Sequence, residues 1–84
     1  MVDSVELKEK IKQFILKTSY VPVEQVKDDT LIFEQGIMDS MGFISIISFL
    51  EETFAVVALD SELVEANFES INAIADYVAR KKQA

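Results

Sequence analysis

Asp39 and Ser40 are the residues whose types and position could do chemistry, because they stand where a polar segment gives way to a strongly apolar one. Aspartate and serine are preferred at helix starts, so the pair predicts a helix that begins at Ser40. The serine hydroxyl would then be exposed and within reach of a large enzyme that modifies it. The dipeptide alone does not separate that chemistry from plain capping, in which both residues only satisfy the free N–H groups of the first turn.

The residue types that are missing exclude several kinds of active site. The chain has no cysteine and no histidine, which excludes disulfides, thiolate nucleophiles, histidine bases and the commonest zinc ligands. Asp39 is a poor base for Ser40, its direct neighbour in sequence, so an enzyme with a serine nucleophile is the least favoured function. Asp28 and Asp29 are adjacent loop acids of the kind usually just solvated, and we predict no metal site. Any thiol chemistry would have to come from an attached group.

The charges of the chain are strongly segregated along the sequence. The formal net charge is −7, and the acid-rich span from Asp28 to Ala79 contains no lysine or arginine. Because phosphate contacts need basic groups, we predict no nucleic-acid partner. A surface of one sign suits partner proteins with basic docking patches. The alternative is that the acidic charge only keeps a small hydrophobic domain soluble.

Length and composition bound the organisation of the chain. With 84 residues, half of them hydrophobic, the sequence predicts one small domain over residues 1–84 with a modest core. No apolar run is long enough for export or approaches the roughly 20 residues that span a bilayer. We therefore predict a cytoplasmic monomer without a membrane partner.

Helical periodicity predicts an all-α fold, a four-helix bundle with three longer helices, one short third helix and a long loop between the first two. The first helix is expected from about Ser4 to Thr18, after a capping box formed by Asp3 and Glu6. Its apolar stripe should face the core. The stripe comprises Leu7, Ile11, Phe14, Ile15 and Thr18.

The loop over residues 19–39 contains Pro22 and Gly36, and the glycine fits a turn that needs positive φ. A short helical turn is expected over residues 32–34. The apolar residues of the loop should pin it to the core, since long loops in compact domains are rarely structureless. They are Val21, Val23, Val26, Leu31, Ile32 and Phe33.

The second helix is expected from Ser40 to about Thr53, with one apolar and one polar face. The apolar face comprises Phe43, Ile46, Ile47, Leu50 and Phe54. The polar face comprises Gly42, Ser45, Ser48 and Glu52. Further apolar residues widen the first face, and we expect Phe43 and Phe49 in the core but Met41 and Ile44 exposed.

Two more helices are expected in the C-terminal third. Asp60, Ser61 and Glu62 have the character of a cap and first turn for a short helix over residues 61–65, which Asn67 would end. Ser70 would cap a final helix that runs to about Lys82. The core face of this last helix comprises Ile71, Ile74, Ala75 and Val78.

Several motifs together resemble the acyl carrier protein family, and they span nearly the whole chain. The loop reads Asp28-Asp29-Thr30-Leu31 and Phe33-Glu34-Gln35-Gly36, where the family has a leucine and then a glycine before its site. Met38-Asp39-Ser40-Met41-Gly42 is similar to the Asp-Ser-Leu/Met of the family. The end of the second helix, Phe49-Leu50-Glu51-Glu52-Thr53-Phe54, and two later stretches are similar as well. Those two are Asn67-Phe68-Glu69-Ser70-Ile71 and Ala73-Ile74-Ala75-Asp76-Tyr77-Val78.

This resemblance implies that Ser40 carries a 4'-phosphopantetheine arm derived from coenzyme A, with Asp39 as the preceding acid. It implies partner contacts through Met41 and Ile44, which flank the serine, and through the acids Glu51 and Glu52. The partners would be a phosphopantetheinyl transferase, a ligase that loads an acyl or aminoacyl group, and enzymes that receive it. The chain itself would perform no chemistry.

Departures from the family pattern indicate which kind of carrier to expect. Gly42 and Ser45 stand where many fatty-acid synthesis carriers have acids, and Ala58 and Leu59 replace a common Ile-Pro pair. These differences favour a stand-alone specialised carrier with a dedicated ligase or synthase.

Two questions stay open at this level. The chain could instead be an unmodified helical adaptor that binds a partner through the apolar second helix. An acyl chain could enter a slot between the second and later helices, although the side chains concerned could equally fill it. They are Phe43, Ile47, Phe49, Leu63 and Ile71.

Overall fold

The computed structural model describes residues 4–83, and over this range it is all-helical. Three α-helices are formed: α1 at Ser4–Ser19, α2 at Ser40–Phe54 and α3 at Ile71–Gln83. Three single 3-10 turns occur at Val23–Gln25, Asp60–Glu62 and Glu65–Asn67. The predicted capping box of α1 involves Asp3, which lies outside the described residues.

The core lies where α1 packs against α3. From the predicted stripe of α1, Leu7, Ile11 and Ile15 are buried, while Phe14 and Thr18 are half-buried. The predicted core residues of α3 are all buried, and Tyr77 joins them. The start of α3 is capped as predicted, because the Ser70 hydroxyl accepts a hydrogen bond from the Ala73 N–H at 3.1 Å.

The prediction of a short third α-helix over residues 61–65 is not confirmed. The chain forms two separate 3-10 turns here, because Leu63, at φ −82° and ψ 61°, interrupts helical geometry between them. The cap also differs, since the Glu62 carboxylate accepts a hydrogen bond from the Leu59 N–H. No residue from 59 to 67 is buried, so a helix here would have no packed face to stabilise it. Four helices were predicted, and the described residues form three α-helices.

The long loop between α1 and α2 is pinned to the core at four of the predicted residues, since Val21 and Phe33 are half-buried and pack against the core in addition to Val26 and Ile32. Val26 and Ile32 are fully buried, whereas Val23 is 52% exposed, contrary to expectation. Backbone hydrogen bonds from the Ile32 N–H to the Glu69 carbonyl and from the Asn72 N–H to the Asp28 carbonyl, both 2.9 Å, fasten the loop to the approach and start of α3. The loop is therefore a fixed support for the residues that precede α2.

The loop also contains the turn that was expected before α2. A single helical turn forms, with the Gln35 N–H bonded to the Leu31 carbonyl at 2.8 Å. Gly36 follows with a φ of 75°, a backbone conformation that glycine adopts without steric cost. The chain is thereby redirected towards Ser40.

Among residues 4–83 there is no helix with both the length and the apolar character that crossing a bilayer requires.

Candidate attachment site at the start of α2

Asp39 fixes the point at which α2 begins. Its backbone is extended, and its Oδ1 accepts a hydrogen bond from the Gly42 N–H at 3.0 Å. Its carbonyl accepts the first helical hydrogen bond, from the Phe43 N–H at 2.9 Å. Asp39 is thus the N-cap residue, and the predicted start of the helix at Ser40 is confirmed.

Ser40 is exposed in the first turn of α2. Its hydroxyl forms no hydrogen bond with another described residue. The backbone N–H groups of Ser40 and Met41 have no acceptor within the helix, because the first turn of any α-helix leaves its donors free. The helix dipole adds positive potential at the same place. The site therefore combines a free hydroxyl with an environment that favours an anion.

Gly42 is buried, which corrects its assignment to the polar face of α2. A Cβ atom at this position would lie 3.0–3.2 Å from side-chain atoms of Met38, and Met38 itself is only 5% exposed. Glycine therefore lets the first turn of α2 approach Met38 closely, which leaves Ser40 on the outer side. A glycine inside a predicted helix is itself a signal of such close packing. Glycine lowers helix stability, so its presence there usually has a packing reason.

A groove of about 390 Å³ opens directly beside Ser40. It is lined by Phe33, Met38, Asp39, Ser40, Phe43 and Glu65. Phe33 comes from the long loop, and Glu65 comes from the last 3-10 turn. The sequence pattern did not assign either residue to the site, because neither belongs to a periodic segment near Ser40.

Five side chains could either line a slot for an acyl chain or fill it. Of these, only Phe43 lines the groove beside Ser40. Phe49 points towards α1 instead, where its ring stacks on Phe14 with a centroid distance of 4.3 Å. Ile71 is fully buried, and Leu63 is 39% exposed. The five side chains that could line or fill a slot therefore separate between core and surface.

The four residues predicted to contact partners lie on one outward stripe of α2. Met41 and Ile44 are 69% and 58% exposed, as expected, and Glu51 and Glu52 are exposed as well. Their spacing of three, seven and one residues places them on one side of a helix. The apolar end of the stripe lies next to Ser40 and the acidic end lies about 16 Å along the axis, at 1.5 Å per residue.

The role of Asp39 as a cap leads to a stability prediction. Replacing Asp39 by alanine should lower the free energy of unfolding by about 1 kcal/mol, because the Gly42 N–H loses its acceptor. Asp39→Asn should retain most of that stability, since asparagine caps equally well. Urea unfolding followed by circular dichroism measures both. Equal losses in the two variants would mean that the charge of Asp39, rather than its cap hydrogen bond, stabilises α2.

No cluster of three or more acidic side chains that could hold a metal ion occurs within the described range, and Asp28 and Asp29 belong to none.

Comparison of the sequence with known proteins identifies the family of the chain. No curated protein matches the chain in a direct sequence comparison. A family model described as a phosphopantetheine attachment site matches residues 9–78, a range that runs from α1 into α3 and includes the start of α2. The chain therefore belongs to the family of phosphopantetheine-binding carrier domains, in which 4'-phosphopantetheine is attached covalently.

Proposed function

We propose that this chain carries an acyl or aminoacyl group on a 4'-phosphopantetheine arm attached to the Ser40 hydroxyl, and that it delivers the group to partner enzymes. The observation that carries the proposal is the position of Ser40. It is an exposed serine at the start of α2, its hydroxyl is free, and a groove opens beside it.

The residues around Ser40 fit such an arm. The free N–H groups of Ser40 and Met41 favour the negative charge of a phosphodiester at the start of a helix. Phe33 and Phe43 give the neighbouring groove apolar walls. When attached, the arm supplies a terminal thiol that can hold an acyl or aminoacyl group as a thioester.

The attachment reaction needs a base and a magnesium ion, which the described residues do not supply at Ser40. The Ser40 oxygen would form a bond to the phosphorus next to the pantetheine part of coenzyme A, while the pyrophosphate bond breaks and adenosine 3',5'-bisphosphate leaves. A base must take the hydroxyl proton. The Asp39 carboxylate is nearby but already accepts the Gly42 N–H. We therefore expect the transferase to supply the base and the magnesium ion that offsets phosphate charge.

The outward stripe of α2 is the surface that we propose for partner contact. It starts with the exposed apolar side chains of Met41 and Ile44 beside Ser40 and ends with Glu51 and Glu52. A partner would place an apolar depression against the first pair and basic side chains against the second pair. Such charge complementarity mainly raises the association rate and orients the complex.

The proposal is tested by intact mass after incubation with coenzyme A, magnesium and a broad-specificity phosphopantetheinyl transferase. We expect a gain of one phosphopantetheine group per chain. No gain, with the fold intact and a control carrier modified in the same tube, would contradict the proposal. The exposed Met41 and Ile44 would then favour the unmodified adaptor, whose partner binding would survive the loss of Ser40.

A further inference from the structure

The segment of residues 59–67, which we call the connecting segment, lies against α3 through its last 3-10 turn, but neither buried side chains nor backbone hydrogen bonds hold it there. None of its residues is buried. The backbone hydrogen bonds that it forms among the described residues all end between residues 59 and 68. A segment without buried side chains or outside backbone hydrogen bonds opens easily unless side chains anchor it.

Glu62 supplies such an anchor. Its carboxylate accepts hydrogen bonds from the Tyr77 hydroxyl at 3.1 Å and from the Lys81 ammonium at 3.0 Å, and both donors belong to α3. The same carboxylate accepts the Leu59 N–H at 2.8 Å. The side chains of Glu62 and Lys81 are each 25% exposed, so this pair is better shielded from solvent than an ordinary surface ion pair. We call Glu62, Tyr77 and Lys81 the latch.

Asn67 ties the other end of the connecting segment to the same helix. Its Oδ1 accepts a hydrogen bond from the Arg80 guanidinium at 3.2 Å. Its Nδ2 donates to the Glu62 carbonyl at 2.9 Å. The two ends of the segment therefore depend on one network, with Glu62 in its centre.

The latch is connected to the groove beside Ser40 in two ways. Glu65 of the connecting segment forms one wall of the groove. The ring of Phe43, which also lines the groove, meets Phe68 edge to face with centroids 5.3 Å apart. Phe68 in turn meets Tyr77 at 5.0 Å. Two residues that line the groove are thus connected to Glu62. Glu65 belongs to the segment that Glu62 anchors, and Phe43 is connected through the rings of Phe68 and Tyr77, whose hydroxyl donates to the Glu62 carboxylate.

We propose that Glu62 is a positioning residue, which holds the connecting segment on α3 and thereby fixes the groove beside Ser40. Loss of the latch frees the segment and widens the groove, so that a thioester held there becomes more accessible to water. The anchoring of the segment does not depend on any modification. The protection of a thioester rests on the proposed function.

Hydrogen exchange on the unmodified protein tests the anchoring. Glu62→Gln should speed amide exchange several-fold over residues 59–68 and leave the buried amides of α1 unchanged. Asp60→Asn is the matched control, because it removes an acid from the same turn but none of the latch hydrogen bonds. Faster exchange throughout the chain, or none beyond that of Asp60→Asn, would overturn the proposal.

A Lys81→Met variant separates the latch from other effects at Glu62. It should reproduce the exchange pattern of Glu62→Gln, and the double variant should add little, because each change removes the same ion pair between Glu62 and Lys81. Full additivity would mean that the two side chains act independently, which would overturn the latch.

The way in which the free energy of unfolding changes with pH in acidic solution gives a second test of the same contact. The hydrogen bonds from the Leu59 N–H and from Lys81 hold the pKa of Glu62 below its usual 4.5. Burial and the bond to Glu62 raise the pKa of Tyr77 to about 12, so the Tyr77 hydroxyl keeps its proton in acid. The cationic side chains near the carboxylate are Lys81, which donates to it at 3.0 Å, and Arg80, which donates to Asn67. A carboxyl with a lowered folded pKa stabilises the fold above its unfolded pKa and loses that contribution as the pH falls through the lowered value.

The stability gap between the native chain and Glu62→Gln should therefore be complete above pH 4.5 and narrow in more acidic solution. Urea unfolding at a series of pH values measures the gap. A gap that is independent of pH would overturn the role of the ionised carboxylate.

The protective role is tested on chains loaded with an octanoyl-phosphopantetheine arm. Intact mass follows hydrolysis of the thioester in mildly alkaline buffer, which we expect to be several-fold faster in Glu62→Gln than in the native chain and in Asp60→Asn. Equal rates, despite faster exchange of the connecting segment, would overturn the effect on the groove. Failure of the native chain to take the arm would instead overturn the proposed function, and the exchange experiment would still decide the anchoring.

Discussion

Replacing Ser40 by alanine is expected to abolish attachment of phosphopantetheine completely and to leave the fold unchanged. The hydroxyl oxygen is the atom that would bond to phosphorus, so no partial activity can remain at that position. The side chain is exposed and forms no hydrogen bond with another described residue, and alanine has the highest helix propensity. Intact mass after treatment with the transferase gives the modified fraction, and circular dichroism reports the fold.

Ser48→Ala is the matched control for this variant. Ser48 is another exposed serine of α2, two turns further along the same helix. It should be modified to the same extent as the native chain. A modified Ser40→Ala chain, or an unmodified Ser48→Ala chain, would contradict the assignment of Ser40.

The second large effect is expected from Phe68→Ala. Phe68 is fully buried, and its ring contacts both Phe43 and Tyr77 edge to face. Truncation of such a ring removes its buried surface and leaves a cavity, which typically costs about 3–5 kcal/mol. Small domains have a total stability of about 5–15 kcal/mol, so the variant should be partly unfolded near physiological temperature. Urea unfolding measures the loss.

Phe54→Ala is the control for ring truncation itself. Phe54 is half-buried at the end of α2 and meets one ring, that of Phe49 at 5.7 Å. Its loss should lower the free energy of unfolding clearly less than the loss of Phe68. Equal losses would contradict the expectation that the full burial of Phe68 and its two ring contacts make the larger contribution to stability.

The parts of the fold that the sequence predicted are those with local or periodic signals. The start of α2 followed from the capping preference of Asp39, and the buried face of α3 followed from residues three and four apart. The turn at Gly36 followed from the freedom of glycine at positive φ. These features depend on neighbours in sequence, and so does the exposure of Ser40.

The parts that the sequence did not predict depend on contacts between distant segments. Acids near Asp60 suggested a helix, but no side chain from 59 to 67 is buried against the core, and the carboxylate of Glu62 bonds to α3 instead. The pattern placed Gly42 on the polar face of α2, whereas Gly42 is buried because the first turn of the helix packs closely against Met38. The groove joins Phe33 and Glu65 from two irregular segments, and no periodicity links them.

Locating the modified residue tests the central claim most directly. Cleavage after Glu34 and Glu51 of the transferase-treated native chain releases residues 35–51, a peptide with three serines, Ser40, Ser45 and Ser48. Fragment ions in tandem mass spectrometry then assign the added group to one of them. We predict that phosphopantetheine is found on Ser40 alone, and its presence on Ser45, Ser48 or another peptide would contradict the account.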